Sequence, residues 1–302
     1  LKLAKLDDQG DTVKTVTFNS EYFKFKGKIS FFNPIWSEKG ELYVAEDSSG
    51  WWNITQIKTD INNISITIFQ NKWTIQAEIG FPQWVLGMSS FSCLGDDVVG
   101  VFAQEGIWRL ALFEKNGSIH IIEQPFRDFS GLHSHHNRIV AIASSSVISE
   151  GIFEIDLLDR SWDHSPASAL RLDPMKISIG ESFWFVGSNQ NNVHAWYYPP
   201  LNSGILSPPL VVKSHSGPTG MARCGLDLEV QFWTSRGWAV VDVNYGGSSG
   251  FGREYRDRLR GNWGVIDVVD CTKAAQSLIA SGKANKNCIA IIGSSASGFT
   301  AL

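Results

Sequence analysis

The chain has 302 residues, enough for two domains with a core each. Hydrophobic residues make up 43% and charged residues 19%, the balance of a globular protein rather than a disordered or fibrous one. A net charge of −4 gives no electrostatic footing for nucleic acid or an anionic membrane, and no apolar run is long enough to span a bilayer.

The four cysteines, Cys93, Cys224, Cys271 and Cys288, are scattered without a Cys-x-x-Cys pair. Neither a metal site, a cofactor nor a disulfide framework is therefore expected, and free thiols in a reducing, cytoplasmic setting are the natural reading. The chain opens on Leu1 rather than Met, with no charged-then-apolar leader, so its true N-terminus is expected to lie further upstream. Three sequons, at Asn53, Asn63 and Asn116, could accept glycans if the protein were secreted.

From the N-terminus, three segments repeat one pattern: Gly50-Trp51-Trp52-Asn53-Ile54, Gly106-Ile107-Trp108-Arg109-Leu110 and Gly151-Ile152-Phe153-Glu154-Ile155. Each is a glycine, an aromatic soon after, then alternating apolar and polar residues, the period of a half-buried strand. Another alternating stretch precedes each one: Glu41 to Ala45, Val98 to Phe102, and Arg138 to Ile142. Each unit is thus a hairpin, and the units recur at roughly the length of one four-stranded propeller blade. A fourth unit is expected to end at Leu1 to Asp7. The repeats by themselves also suit a β-sandwich. Pro34-Ile35-Trp36-Ser37, followed by Gly40-Glu41-Leu42, reads as the start of a blade.

Beyond about residue 174 the pattern changes. Ser182 to Val186, Val193 to Tyr197 and Leu210 to Lys213 read as strands, the last ending at His215-Ser216-Gly217-Pro218. A helix is predicted over Leu226 to Ser235, with Leu228, Phe232 and Trp233 at helical spacing, stopped by Gly237. The nearly continuous apolar run Trp238 to Val243 predicts a strand buried on both faces. A second helix is predicted over Ile266 to Ser281, with Val268, Val269, Ala275, Leu278 and Ile279 as its inner stripe and Gly282 as its cap. Cys288 to Ile292 is predicted as another buried strand. Alternating strands and helices imply an α/β domain with a largely parallel sheet. The expected organisation is a partial β-propeller over 1–174 and the N-terminal half of an α/β-hydrolase domain over 175–302.

The last strand runs into Gly293-Ser294-Ser295-Ala296-Ser297-Gly298. A buried strand, a sharp turn of tiny residues and a helix start together make the setting of a nucleophile elbow, in which a strained Ser projects its Oγ above the sheet. The motif Gly293-x-Ser295-x-Ser297 lacks the second Gly of G-x-S-x-G, and an ordinary strand-to-helix turn is the plain alternative. A literal G-x-S-x-G occurs instead at Gly246-Gly247-Ser248-Ser249-Gly250. Gly250 and Gly252 make a poor first helical turn, so a flexible loop is expected there rather than a nucleophile at Ser248. His215-Ser216-Gly217-Pro218 stands where such hydrolases place the second oxyanion donor. The donors would be the backbone N–H groups of Gly217 and Ala296. His215 precedes the nucleophile, out of order for a base in this fold, and is expected to order its loop.

Residues from about 210 to 302 resemble the prolyl oligopeptidase family, particularly its dipeptidyl aminopeptidase and acylaminoacyl-peptidase branch. The resemblance rests on His215 to Thr219, Gln231 to Tyr245, Gly246 to Tyr255, Leu259-Arg260-Gly261-Asn262-Trp263-Gly264 and the elbow; the blades, with Pro82-Gln83-Trp84, are similar more weakly. It implies a serine peptidase acting on short peptides through an acyl-enzyme, with Ser295 as nucleophile, Gly217 and Ala296 as oxyanion donors and a propeller gating access. A weakened, peptide-binding relative or an esterase is the alternative. Homo-oligomerisation is left open. The family usually has Gly at the positions of Ser216 and Ser297, and restoring it is expected to be neutral or favourable. Because a propeller needs more blades than the three or four seen here, and the acid and base of this fold follow the nucleophile, the chain reads as cut at both ends. Residues 1–302 alone are expected not to turn over peptides.

Overall fold

The structure is a computed structural model. It describes residues 1–302 except 18–22, 24, 61–64, 69–71, 170, 202–203 and 205. The sequon at Asn63 lies outside the described residues.

Three antiparallel four-stranded sheets follow one another along the chain. The first comprises β3 (Phe31–Trp36), β4 (Leu42–Glu46), β5 (Asn53–Asp60) and β6 (Ser65–Ile68). The second comprises β7 (Phe91–Leu94), β8 (Asp97–Gln104), β9 (Ile107–Phe113) and β10 (Ile119–Ile121). The third comprises β11 (Asp128–His135), β12 (Arg138–Ser144), β13 (Gly151–Asp156) and β14 (Trp162–Pro166). Each is a meander, and the first strands adjoin, β3 against β7 and β7 against β11. These contacts are stitched by Asn33 Nδ2 donating to Phe91 O at 3.1 Å and Leu132 N donating to Ser89 O at 3.0 Å. Radially adjoining first strands make the sheets propeller blades rather than the layers of a sandwich. The N-terminal unit does not end at Asp7: β1 (Lys2–Leu6) turns and pairs with β2 (Thr12–Thr17).

The repeated hairpins are the second and third strands of each blade. Trp52, Trp108 and Phe153, two residues after the repeated glycines, are all buried and fill the seams between blades. Gly50 and Gly106 have φ values of 91° and 80° and close tight turns that other residues rarely adopt. Gly151 instead lies at the start of β13, where a Cβ would collide with Ser165 and Pro166 of β14. Asn53 is buried, with its Nδ2 bonded to Ala77 O at 3.2 Å and its Oδ1 accepting from Ile75 N at 3.0 Å, so its sequon is closed to glycans.

Beyond the blades lies a five-stranded sheet of order β15-β16-β18-β17-β19, made by β15 (Glu181–Val186), β16 (Asn192–Tyr198), β17 (Leu210–Ser214), β18 (Ala239–Asn244) and β19 (Ile289–Ile292). β15, β16 and β18 pair antiparallel, whereas β17 runs parallel to both β18 and β19. The helix α1 (Leu228–Thr234) covers one face, and α3 (Ile266–Ala280) covers the other; α2 (Arg253–Asp257) lies between β18 and α3 in sequence, and α4 (Ala296–Ala301) follows β19. The chain is a partial propeller followed by the start of an α/β-hydrolase domain.

The predicted inner stripe of α1 is rotated, and that of α3 holds only in its C-terminal half. α1 buries Val230, Gln231 and Thr234 while Leu228 and Phe232 are half exposed. Gln231 is held inside by exchanging bonds with the backbone of Ser178, 2.8 and 2.9 Å long. α3 buries Asp267, Asp270, Cys271 and Ala274 together with the predicted Ala275 and Leu278, packs Ile279 on the core, and leaves Val268 and Val269 partly exposed. Fully bonded polar groups have displaced apolar ones, which hydrophobicity alone does not foresee. β19 is also less buried than predicted, since it is the sheet's edge strand among the described residues, with Ile289 and Ile291 partly exposed.

An ionic seam joins the first blade to α2. Arg253 and Arg256 both pair with Asp47, the latter at 2.7 Å, and Arg256 lies 4.0 Å over the Trp52 ring. Glu78, fully buried beside them, accepts from the backbone N–H groups of Trp52 at 2.9 Å and Gly252 at 3.0 Å. Burial raises its pKa, and Arg256 opposes that shift.

Candidate active site

Strand register gathers the site. Lys213 of β17 stands opposite both Asp242 of β18 and Ile292 of β19, so the three parallel strands end level. The turns after them, 214–220, 245–252 and 293–295, therefore share the carboxyl edge of the sheet, where open α/β folds bind ligands.

At the end of β19, Ser295 has φ 54° and ψ −117°, a strained conformation for a residue with a side chain, and it is exposed. Ala296 starts α4 immediately after it. A Cβ on Gly293 would overlap the backbone of Ser297, so only glycine lets β19 turn this sharply. Ser297 is built into the turn: its Oγ accepts from Ser294 N at 2.8 Å and donates to Ser294 O at 2.9 Å. α4 is anchored from behind by Asp267, whose carboxylate accepts from Thr300 Oγ1 at 2.6 Å and from Gly264 N at 2.7 Å. Among the described residues no group hydrogen-bonds Ser295 Oγ.

The turn after β17 is fixed chiefly through one carbonyl. Gly217, at φ 72°, offers its O to Gly220 N at 3.0 Å, to His215 Nδ1 at 3.1 Å and to Tyr245 OH at 3.4 Å. Its own N–H, like that of Ala296, donates to no group among the described residues. Ser216 is exposed, so its Cβ meets no crowding.

His215 is buried, stacks on Tyr245 at 4.4 Å between ring centroids, and meets Ser248 Oγ through Nε2 at 2.7 Å. Burial lowers its pKa to about 4, so it is neutral at pH 7; Nδ1 donates to Gly217 O, and the unprotonated Nε2 and Tyr245 O compete for the single proton of Ser248 Oγ. The loop carrying Ser248 is not the flexible one expected. Residues 245–252 are all buried, Ser248 bonds Tyr245 O at 2.8 Å, and Gly246 N is held by Asp270 at 2.8 Å.

A cavity of about 610 Å³ opens beside the elbow, lined by Ser216, Gly293, Ser294 and Ser297 and faced by Asp128 and Glu150 from the third blade. Among the described residues no helix is long and apolar enough to cross a membrane.

Residues 225–302, from the approach to α1 through the elbow, match the prolyl oligopeptidase family. A puromycin-hydrolyzing peptidase of Mycobacterium tuberculosis is 32% identical, with a TM-score of 0.88 over 99% of this chain and 46% of its own. A puromycin hydrolase mutant solved in complex with PGG is 31% identical, with a TM-score of 0.86 over 99% of this chain and 45% of its own. Dipeptidyl-peptidase 5 of Aspergillus fumigatus is 34% identical over 114 residues, which are 35% of this chain and 16% of that protein. The chain thus spans less than half the length of these relatives. The likeness to the puromycin hydrolases spans 99% of the chain and so takes in the blades as well as the five-stranded sheet.

His215–Ser248 pairing, Asp267, Asp270 and Tyr245 went unassigned in the sequence. Two buried aspartates on one predicted helix were the available signal, since carboxylates are rarely buried without partners.

Proposed function

We propose that the complete protein is a serine peptidase of the prolyl oligopeptidase family that hydrolyses short peptides. Ser295 Oγ attacks the scissile carbonyl carbon and forms an ester bond to it. The Oγ proton passes through a base to the departing amine, and water then cleaves the acyl-enzyme. Gly217 N–H and Ala296 N–H hydrogen-bond the oxyanion of each tetrahedral intermediate. The base and its carboxylate partner come after Ser295 in the chain, the order this fold imposes. The division of labour falls near residue 174: the propeller restricts entry to short, flexible peptides, and the hydrolase domain performs the chemistry. Peptide substrates are favoured by the complex of a related puromycin hydrolase with PGG.

The observation that carries this reading is the backbone of Ser295: exposed and strained, between a strand and a helix, and followed at once by the Ala296 N–H, which has no acceptor among the described residues. Strain of this kind persists only where the surroundings impose it. Ser248, despite its literal motif and its histidine partner, is fully buried and cannot meet a substrate. A fluorophosphonate reagent on the complete protein should label Ser295, and Ser295→Ala should abolish both labelling and hydrolysis of di- to tetrapeptide amides. Absence of labelling would leave a peptide-binding relative; labelling with turnover of esters alone would make it an esterase.

A further inference from the structure

We propose that Trp84, carried by the propeller, is a positioning residue for the hydrolase chemistry: it braces the turn that presents Gly217 N–H. This rests on the peptidase reading above. Trp84 lies in the connection between the first and second blades, which Gln83 fastens to β3 by donating its side-chain amide to Phe31 O.

The indole reaches across to the hydrolase domain and touches the oxyanion turn twice. Its six-membered ring lies directly on Gly217, where a Cβ would collide with Cζ2 and Cη2. Its Nε1–H donates to Thr219 Oγ1 at 2.9 Å. The two contacts bracket Pro218.

The need for such a brace follows from the chemistry of the turn. Glycine at φ 72° has neighbouring conformations open to it that a residue with a side chain lacks. His215, Tyr245 and Gly220 all grip the carbonyl of Gly217, which belongs to the peptide unit following its Cα. The N–H belongs to the preceding unit, whose carbonyl, Ser216 O, is held only by a long 3.4 Å contact with His215 Nδ1, so that unit keeps more freedom to swing than the one that follows. Trp84 packs on the Cα between the two units and limits that swing. An oxyanion donor displaced by an ångström loses most of its effect, because the hydrogen bond must meet the oxygen where charge develops. Trp84 is 56% exposed, so it is not a core residue, and its placement is explained by the turn it covers. A propeller that lifts away would therefore release the donor as well as open the site.

The outer face of the ring also borders a cavity of about 440 Å³ with Pro218, Thr219 and Trp263. A residue that merely walls a substrate cavity changes KM, whereas one that sets the oxyanion donor changes kcat.

The test is kinetic, on the complete protein. For Trp84→Ala we expect kcat to fall about 10- to 100-fold with KM within about threefold. The Ki of a peptide boronic acid, whose tetrahedral adduct places an oxygen at the same donors, should rise by the same factor as kcat/KM falls. Trp84→Phe keeps a ring on Gly217 and should recover most of kcat; Thr219→Val, which removes only the acceptor, should lose less than about fivefold. Unchanged kcat in Trp84→Ala, a raised KM alone, or a boronate Ki that does not move would overturn the proposal. So would failure of Trp84→Phe to recover kcat. Ser295→Ala in the same assay separates the two readings. If it stays active, the peptidase assignment is wrong; if it is dead while Trp84→Ala is fully active, only the bracing role falls.

Discussion

Two glycine-rich turns with a serine at the centre leave parallel strands of the same sheet, Gly246–Gly250 after β18 and Gly293–Ser297 after β19. The first carries the more complete motif and even a histidine at 2.7 Å from its serine. Yet Ser248 is buried beneath the 215–220 turn with its hydroxyl between His215 and Tyr245 O, while Ser295 is exposed in a strained backbone with its hydroxyl unengaged among the described residues. The difference lies in the course the chain takes beyond each turn. After Gly250 it runs through Phe251 and Gly252 into the propeller seam, where Gly252 N bonds Glu78. After Ser295 a helix starts at once, and Asp267 holds it in place. A motif supplies the residues for a sharp turn, but the chain's route afterwards decides whether the serine faces solvent or a core.

The sharpest way to break this comparison is to exchange the serines for alanine in the complete protein. Ser295→Ala is expected to lower kcat by on the order of 10⁶-fold, the scale for losing a triad nucleophile, with an unchanged melting temperature. Ser248→Ala leaves His215 Nε2 without a buried partner and is expected to destabilise by about 1–3 kcal/mol, with kcat reduced less than tenfold. The reverse pattern in activity assays would make Ser248 the nucleophile.

The glycines sharpen the same contrast. A Cβ on Gly293 overlaps backbone, whereas one on Gly247 meets the Leu259 side chain at 2.5 Å. Gly293→Ala is therefore expected to cut the rate of fluorophosphonate labelling by about 10²-fold or more. Gly247→Ala should act through stability, lowering the urea midpoint by an amount worth about 1–3 kcal/mol, since φ 125° is itself strained for alanine. Normal labelling of Gly293→Ala would show that the close approach at the elbow is dispensable.

Acid tests the buried side of the comparison. His215 and His194 each titrate near 4 through burial, below the unfolded value of 6.5, so the unfolded chain takes up protons first. Their contribution is fully present above about pH 6.5 and is lost as pH falls toward 4, on the order of 3 kcal/mol for each histidine. Asp242, raised to about 6 by burial, acts in the opposite sense and gains stability over the same range. Glu78 and Asp128, also raised by burial, act with Asp242, so the histidine contribution is read as a difference: between pH 7 and 4 the urea midpoint should fall more, or rise less, in the parent protein than in His215→Gln. An unchanged slope in that variant would mean that His215 is already charged in the folded protein.

The smallest effects concern the two serines that replace glycine. Ser297→Gly removes both bonds to Ser294 and frees the backbone, and is expected to lower stability by about 1 kcal/mol. Ser216→Gly alters an exposed side chain and should stay within about 0.5 kcal/mol in thermal melts. A gain in stability from Ser297→Gly would show that its Cβ strains the elbow.

Local patterns carried much of this protein. Period-two alternation and the recurring Gly-aromatic pairs determined the blade hairpins, because a half-buried strand repeats every two residues whatever surrounds it. The strand–turn–helix around Ser295 was legible for a similar reason: tiny residues are needed wherever two backbones nearly touch. The buried faces of the helices were legible only in part, as at Ala275 and Leu278 of α3. Gln231, Asp267 and Asp270 lie inside because partners distant in sequence, Ser178, Thr300 and Gly246, complete their hydrogen bonds. The contacts around the turn after β17 are equally non-local: Ser248 reaches His215 across 33 residues, and Trp84 reaches Thr219 across 135. Sequence alone determined where the chain could turn sharply and which residues could react there. Only the tertiary structure decided which serine is exposed, because exposure depends on what packs over a turn, and that packing comes from elsewhere in the chain.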